Sequence, residues 1–251
     1  MTKTRKSPKK KTLNLAARMK SWHKLAIGML VVVVAGSLFA FVPQTHSATT
    51  VSSATPADAV TTPYGSIGKW MLKSNGQISD WGGKKYEKKT LYEVINVVIV
   101  DPTSTSTSAS TKKINSAMSA AGFPAKFGHS SGFKGRINNT VYGQQPGGLS
   151  AFSDNSFLAQ NNHGRLFGAA AVQSGGYVWT GGFSNEKPTF FFGIITGHVY
   201  TSFNTARDAL ASGFVKSGQT QLPSVNLDNT YNTNEITTGD HDGNAVVIVL
   251  K

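Results

Sequence analysis

The chain of 251 residues contains no cysteine. That excludes a disulfide scaffold, a thiolate zinc site and thiol chemistry. Acids are scarce, 12 against 25 Lys and Arg, and none precedes Asp58. No Gly-X-Y period and no sustained heptad occurs, which excludes collagen-like and coiled-coil classes. Also missing are an H-E-x-x-H pair, a G-x-S-x-G elbow, a Walker loop and a dinucleotide fingerprint. No local motif therefore announces a cofactor or a reaction. What is present is 39% hydrophobic residues, enough for a core, and a length that suits one large domain or two small ones.

The formal charge of +13 is unevenly spread. Residues 1–24 carry nine Lys and Arg and no acid, leaving 16 bases and 12 acids for the rest, a net of +4. An arm of this kind suits nucleic acid, but an uncharged run, LAIGMLVVVVAGSLFAFV, follows it at residues 25–42. Eighteen residues of helix span about 27 Å, close to the roughly 30 Å hydrocarbon core of a bilayer. A basic flank before such a segment stays in the cytoplasm. The expected arrangement is a basic cytoplasmic tail (1–24), a membrane span from Leu25 to Val42 and an exported remainder, with the membrane rather than nucleic acid as partner. The run exceeds the usual 7–15 residues of a signal peptide, which favours an uncleaved anchor; cleavage near Ala48, giving a secreted protein, is the alternative. An exported domain without disulfides is ordinary for a Gram-positive-type bacterium.

Sixteen of the 21 residues at 43–63 are Pro, Thr, Ser or Ala, which predicts a linker and a globular domain over 64–251. Lys84, Lys85, Lys88 and Lys89 form a basic cluster that suits either an anionic polymer or lipid headgroup, or plain solvation. Tyr92–Val100 is short, apolar and β-branched, predicting a strand buried on both faces. The tract TSTSTSAST at 103–111 predicts an exposed loop, with Ser110 or Thr111 capping a helix that Gly122 stops. Strands are expected at Ala151–Gln160, Arg165–Val172, Gly176–Phe183, Thr189–Ser202 and Ala245–Leu250, with turns or bulges at Gly175-Gly176 and Gly181-Gly182. A helix at Thr205–Ser212 is expected to be capped by Ser202 or Asn204 and stopped by Gly213. Segregated strands and helices predict an α+β fold with a mostly antiparallel or mixed sheet and two or more short helices.

Polar residues beside these strands are the candidates for chemistry. His163 and Arg165 are two apart, so an extended chain points both the same way. His198, Tyr200 and Ser202 share a face of the strand leading to Arg207 and Asp208, while Asp240 and Asp242 flank His241. Arg165, Arg207 and Tyr200 suit an anionic ligand. His163, His198 and Asp208 are the candidate catalytic groups. His163, His198, Asp240 and Asp242 are the candidate ligands of a divalent metal, the one cofactor such a set suits. Asp240-His241-Asp242-Gly243 opens like a calcium loop but lacks the closing glutamate. Each group also has a structural use: an Arg–Asp pair in a helix, a histidine bonded within a core, a turn before a strand.

The segments Val97–Pro102, Phe157–Gly168 and Gly197–Asp208, with Ala121-Gly122-Phe123 ending a helix, resemble the C-terminal domain of LssY-type bacterial membrane proteins. The resemblance covers about residues 92–215 and lies in a His-x-Arg before an apolar aromatic and a His nine residues before Arg-Asp. It implies an extracytoplasmic or membrane-associated domain and supplies no reaction. The chain departs from it in having one N-terminal span, which puts a lipid-phosphate role in doubt. Two functions are therefore carried forward: a non-enzymatic envelope module that binds an anionic polymer, a lipid headgroup or a protein, and a hydrolase of phosphate-containing or cell-wall substrates. They differ in whether His163, Arg165, His198 and Arg207 meet in one cleft.

Overall fold

The structure is a computed structural model describing residues 50–251 except 174 and 193; for residues 191 and 194–196 it describes the backbone alone. The expected tail, the span Leu25–Val42 and the first part of the expected linker lie outside the described residues. Among the described residues no helix is long and apolar enough to cross a membrane.

Strands β1 (Ala59–Thr62), β2 (Gly65–Gly68), β3 (Lys85–Tyr86), β4 (Lys89–Leu91) and β5 (Val97–Asp101) come first. Helix α1 (Thr107–Ala120) follows, then β6 (Ala125–Phe127), β7 (Lys134–Ile137), β8 (Thr140–Gln145) and β9 (Ser150–Ser153). Two long strands, β10 (Asn161–Ala171) and β11 (Tyr177–Phe191), lead to β12 (Ile194–Ser202) and helix α2 (Phe203–Lys216). The described chain closes with β13 (Thr220–Asn226), β14 (Ile236–Thr237) and β15 (Asn244–Val249). Twelve strands form one sheet in the order β1-β2-β7-β8-β10-β11-β5-β15-β13, with β12 on β11, β9 on β10 and β6 on β9. Its one parallel contact among the described residues is β5 with β15, so the sheet is mixed and mostly antiparallel and the fold is α+β.

The core follows the alternation of the central strands. Val97 and Ile99 of β5 face α1 and α2, packing with Ile114, Met118, Leu210, Phe214, Val246 and Ile248. Val98 points the other way, into a second cluster with Ile67, Ile137, Phe167 and Val247. The strand expected from Tyr92 is thus buried on both faces but begins only at Val97. Residues 93–96 instead cross over β11. Asn96 Nδ2 donates to Phe183 O at 2.9 Å, and Asn96 Oδ1 accepts from Phe183 N at 3.0 Å. A Cβ on Gly182 would lie 2.7 Å from Val94 O, so only glycine admits this crossing. Gly181-Gly182 is therefore no turn; it sits inside the 15-residue strand β11. Gly175-Gly176 does turn the chain between β10 and β11, both with positive φ.

Other expectations shift for local reasons. β1 pairs with β2 over Ala59–Thr62, and Val51 N donates to Thr230 O, so the packed fold begins upstream of Tyr64, within the segment expected as linker. The Ser/Thr tract is not all loop: Ser106 Oγ accepts from Ala109 N at 3.1 Å and starts α1, while Ser110 is buried and accepts from Trp179 Nε1 at 3.0 Å. Short hydroxyl side chains make good helix caps, which composition alone does not register. The strand expected over Ala151–Gln160 ends at Ser153, where Phe157 and Leu158 enter a turn. The strand expected from Thr189 to Ser202 is the end of β11 and the whole of β12, which pair antiparallel.

Helix α2 is capped by Ser202, as expected, but runs through Gly213 to Lys216 and ends where Gly218 takes positive φ. Gly213 has a packing role: a Cβ there would lie 2.2 Å from Ala121 O at the end of α1. Helix propensity alone favours Gly213→Ala by about 1 kcal/mol. The close approach reverses the sign, and we expect a net loss of about 2 kcal/mol in urea denaturation. A stabilised Gly213→Ala variant would contradict this packing.

Candidate functional site

A cleft of about 730 Å³ opens beside β10, β11 and β12. The i, i+2 spacing holds: His163 and Arg165 both line it, and His198 and Glu186 join them across the paired strands. Glu93 enters from the segment that crosses β11, and its walls are completed by Trp81-Gly82-Gly83-Lys84 and by residues 128–133. Trp81, Gly82 and Gly83 all have positive φ, so that wall turns through the left-handed region. Trp81 packs edge-on against Tyr200, centroids 5.7 Å apart.

His163 is clamped. Its Nε2 lies 3.0 Å from Glu186 Oε1, and its Nδ1 lies 2.8 Å from Asn161 Oδ1. Asn161 Nδ2 donates to Ala159 O at 2.9 Å, which fixes that amide with its oxygen toward the ring. Both ring nitrogens thus face oxygen atoms. His198 Nε2 donates to Phe157 O, so this histidine is tied to the backbone. Arg165 Nη2 donates to Ser130 O at 2.7 Å, and the guanidinium sits 4.5 Å above the Phe133 ring.

Glu93 and Glu186 are both buried, each 8% exposed, yet are pushed in opposite directions. Burial raises Glu93 above the ordinary carboxyl value, and the opposing pull of the Ser79 hydroxyl and Arg165 does not offset it. Burial would raise Glu186 too, but the adjoining His163, with His198 and Arg165, outweighs it and holds the carboxyl below its ordinary value. Burial pushes the His129 imidazole down to about 3, with His163 and Arg165 adding to the effect. The His129 and His163 rings are 4.4 Å apart, and His129 Nε2 has no partner among the described residues.

The other sequence candidates assemble elsewhere, at the start of α2. Asp240 accepts from the Tyr200 hydroxyl, from Ser202 Oγ and from Phe203 N at 2.8 Å, placing a carboxylate on the helix N-terminus. Burial first, then the bond to Asp240, raises the Tyr200 phenol. Arg207 Nη1 donates to Asp242 at 2.6 Å, and its Nε donates to Asp208 at 2.8 Å. Asp242 is held below the ordinary range: burial opposes this, and Arg207 outweighs it. Asp208 is mostly exposed. Arg207, Tyr200 and Asp208 are therefore committed to anchoring α2 and do not line the cleft. The proposed metal ligands are split between the two places, and among the described residues no three His, Asp or Glu are arranged to hold a metal ion.

Sequence reasoning missed Glu93, Glu186, His129 and Trp81. Glu93 had a signal: it is the one charge in an otherwise apolar strand-like run, Tyr92–Val100. Glu186 fell in an assumed gap between strands that is the middle of β11. Comparison of the chain with protein-family models, with curated proteins and with solved structures finds no match.

The unfolded chain protonates histidine near pH 6.5, whereas folded His129 does so only at about 3. Its contribution to stability is complete above pH 6.5 and is lost as pH falls toward 3. His241, pushed down to about 4 by burial, acts in the same direction. His129→Asn should therefore flatten, without abolishing, the fall in urea-unfolding free energy below about pH 6.5. An unchanged slope would remove His129 from the titrating set.

Proposed function

We propose that this protein is a single-pass envelope hydrolase whose exported α+β domain cleaves a glycosidic bond of a wall or surface polysaccharide with paired carboxyl groups. The observation that carries the reading is one cleft holding two buried glutamates pushed apart in protonation. Glu93 is biased toward the neutral acid and Glu186 toward the carboxylate, the division of labour that glycoside hydrolysis requires. In this scheme Glu93 gives its proton to the leaving glycosidic oxygen. Glu186 takes a proton from water as that water's oxygen bonds to the anomeric carbon, and His163 and Asn161 fix the orientation of the base. Trp81 offers an apolar wall for a sugar ring. The basic tail and the uncharged run at 25–42 support membrane anchoring with the domain outside. The residues behind the LssY resemblance support the same site, since His163, Arg165 and His198 all line the cleft.

One observation favours a non-catalytic binding module instead: His163, His198 and Arg165 already spend bonds on neighbouring protein groups. The two readings separate by turnover. We expect the full chain to release reducing ends from a purified envelope polysaccharide, and Glu93→Gln and Glu186→Gln each to lower the rate about 100-fold or more while binding persists. Polysaccharide binding without reducing ends in the wild type would favour the module and end the hydrolase reading.

A further inference from the structure

The two most buried arginines of the domain are in opposite circumstances. Arg207, 8% exposed, has carboxylate oxygens of Asp242 and Asp208 at 2.6 and 2.8 Å. Arg165, 4% exposed, has no carboxylate within 4.0 Å among the described residues. Its Nη2 is spent on the carbonyl and hydroxyl of Ser130, and its Nε has no partner among the described residues. The nearby acids do not supply the missing anion at contact distance: Glu93 accepts from the Ser79 hydroxyl, and Glu186 Oε1 lies 3.0 Å from His163 Nε2. A buried guanidinium left in this state is costly, and the cost is recovered when an oxyanion enters. Beside it the Nε2 of His129 is likewise buried without a partner among the described residues.

We propose that Arg165 is a specificity residue that receives a carboxylate carried by the sugar substrate, so that the cleft selects an acidic glycan, one bearing a uronic acid or a lactyl ether, over its neutral counterpart. The inference rests on the glycan-cleaving reading and adds the charge of the substrate. A single negative charge fits, because the Glu186 carboxylate shares the cleft and repels a dianion. A planar carboxylate also matches the fork of the guanidinium, whose Cζ lies 4.5 Å from the Phe133 ring centroid.

The test uses the full chain in detergent micelles and two matched pairs of probes. One pair is N-acetylglucosaminyl-N-acetylmuramate against chitobiose; the other is trigalacturonate against its carboxyl-reduced form. A glycerol phosphodiester oligomer is the fifth probe. By calorimetry we expect the acidic member of at least one pair to bind about tenfold or more tightly than its neutral partner. We expect Arg165→Gln to erase that difference and Arg165→Lys to retain part of it. Because the comparison is made within the wild type, it stands even if a variant folds poorly. Equal binding within both pairs, a preference that survives in folded Arg165→Gln, or binding of the phosphodiester alone would overturn the proposal. The reducing-end assay reads the hydrolase separately: turnover of neutral glycan with equal binding would end the Arg165 proposal and leave the hydrolase standing.

Discussion

The amide of Asn96 takes both backbone groups of Phe183, and Asn96 N donates to Gly181 O at 2.9 Å. A side chain thereby replaces a strand neighbour and lets the chain cross a sheet instead of extending it. Three consequences follow from that exchange. β5 begins only at Val97, already in register with β11 and β15. The backbone of Val94 presses on β11 where Gly182 offers no Cβ. Glu93 arrives above the polar face of β10 and β11, where no strand of its own could have carried it. Replacing Asn96 would leave Phe183 N and O unbonded in the core, at a cost of about 1–3 kcal/mol for each group.

The polar residues of the domain divide by purpose. At the start of α2 the charges are paired: Arg207 with Asp242 and Asp208, Asp240 with Tyr200, Ser202 and the helix N-terminus. At the other end of α1, Asp101 is held down to about 2; burial opposes this, and bonds from Ser104, Ser110 and Lys113 outweigh it. These bonds fix elements in place. The cleft is different. It combines a carboxyl pushed up, a carboxyl pushed down, a guanidinium without an ion pair and a histidine kept neutral by burial. Open valences of that kind are tolerated where a ligand completes them.

Much of the fold was legible because it rests on local pattern. The β-branched run at Val97–Val100, the Ser202 cap, the Gly122 stop and the hairpin at Gly175-Gly176 all depend on near neighbours in sequence. Gly181-Gly182 and Gly213 were misread because a glycine that admits a distant backbone looks, in sequence, like one that makes a turn. Half of the site was legible for the same reason. His163 and Arg165 share a face by simple alternation, but whether Arg207 or Glu186 joined them was set by strand register and by the crossing at Asn96. Asp240 and Asp242 looked like metal or catalytic carboxylates; only their distance from the cleft and their closeness to Arg207, Tyr200 and Phe203 N reveal a structural use.

Everything proposed for the cleft turns on the opposed protonation of Glu93 and Glu186. The chain has only four glutamates, at positions 87, 93, 186 and 235, so a carboxyl-labelled glutamate sample gives four resonances to follow by NMR as pH is varied. Glu93→Gln and Glu186→Gln each remove one signal and assign it. The Glu93 signal is expected to titrate above the ordinary glutamate value of about 4.3 and the Glu186 signal below it. Two signals titrating together in the ordinary range would rule out the opposed pair.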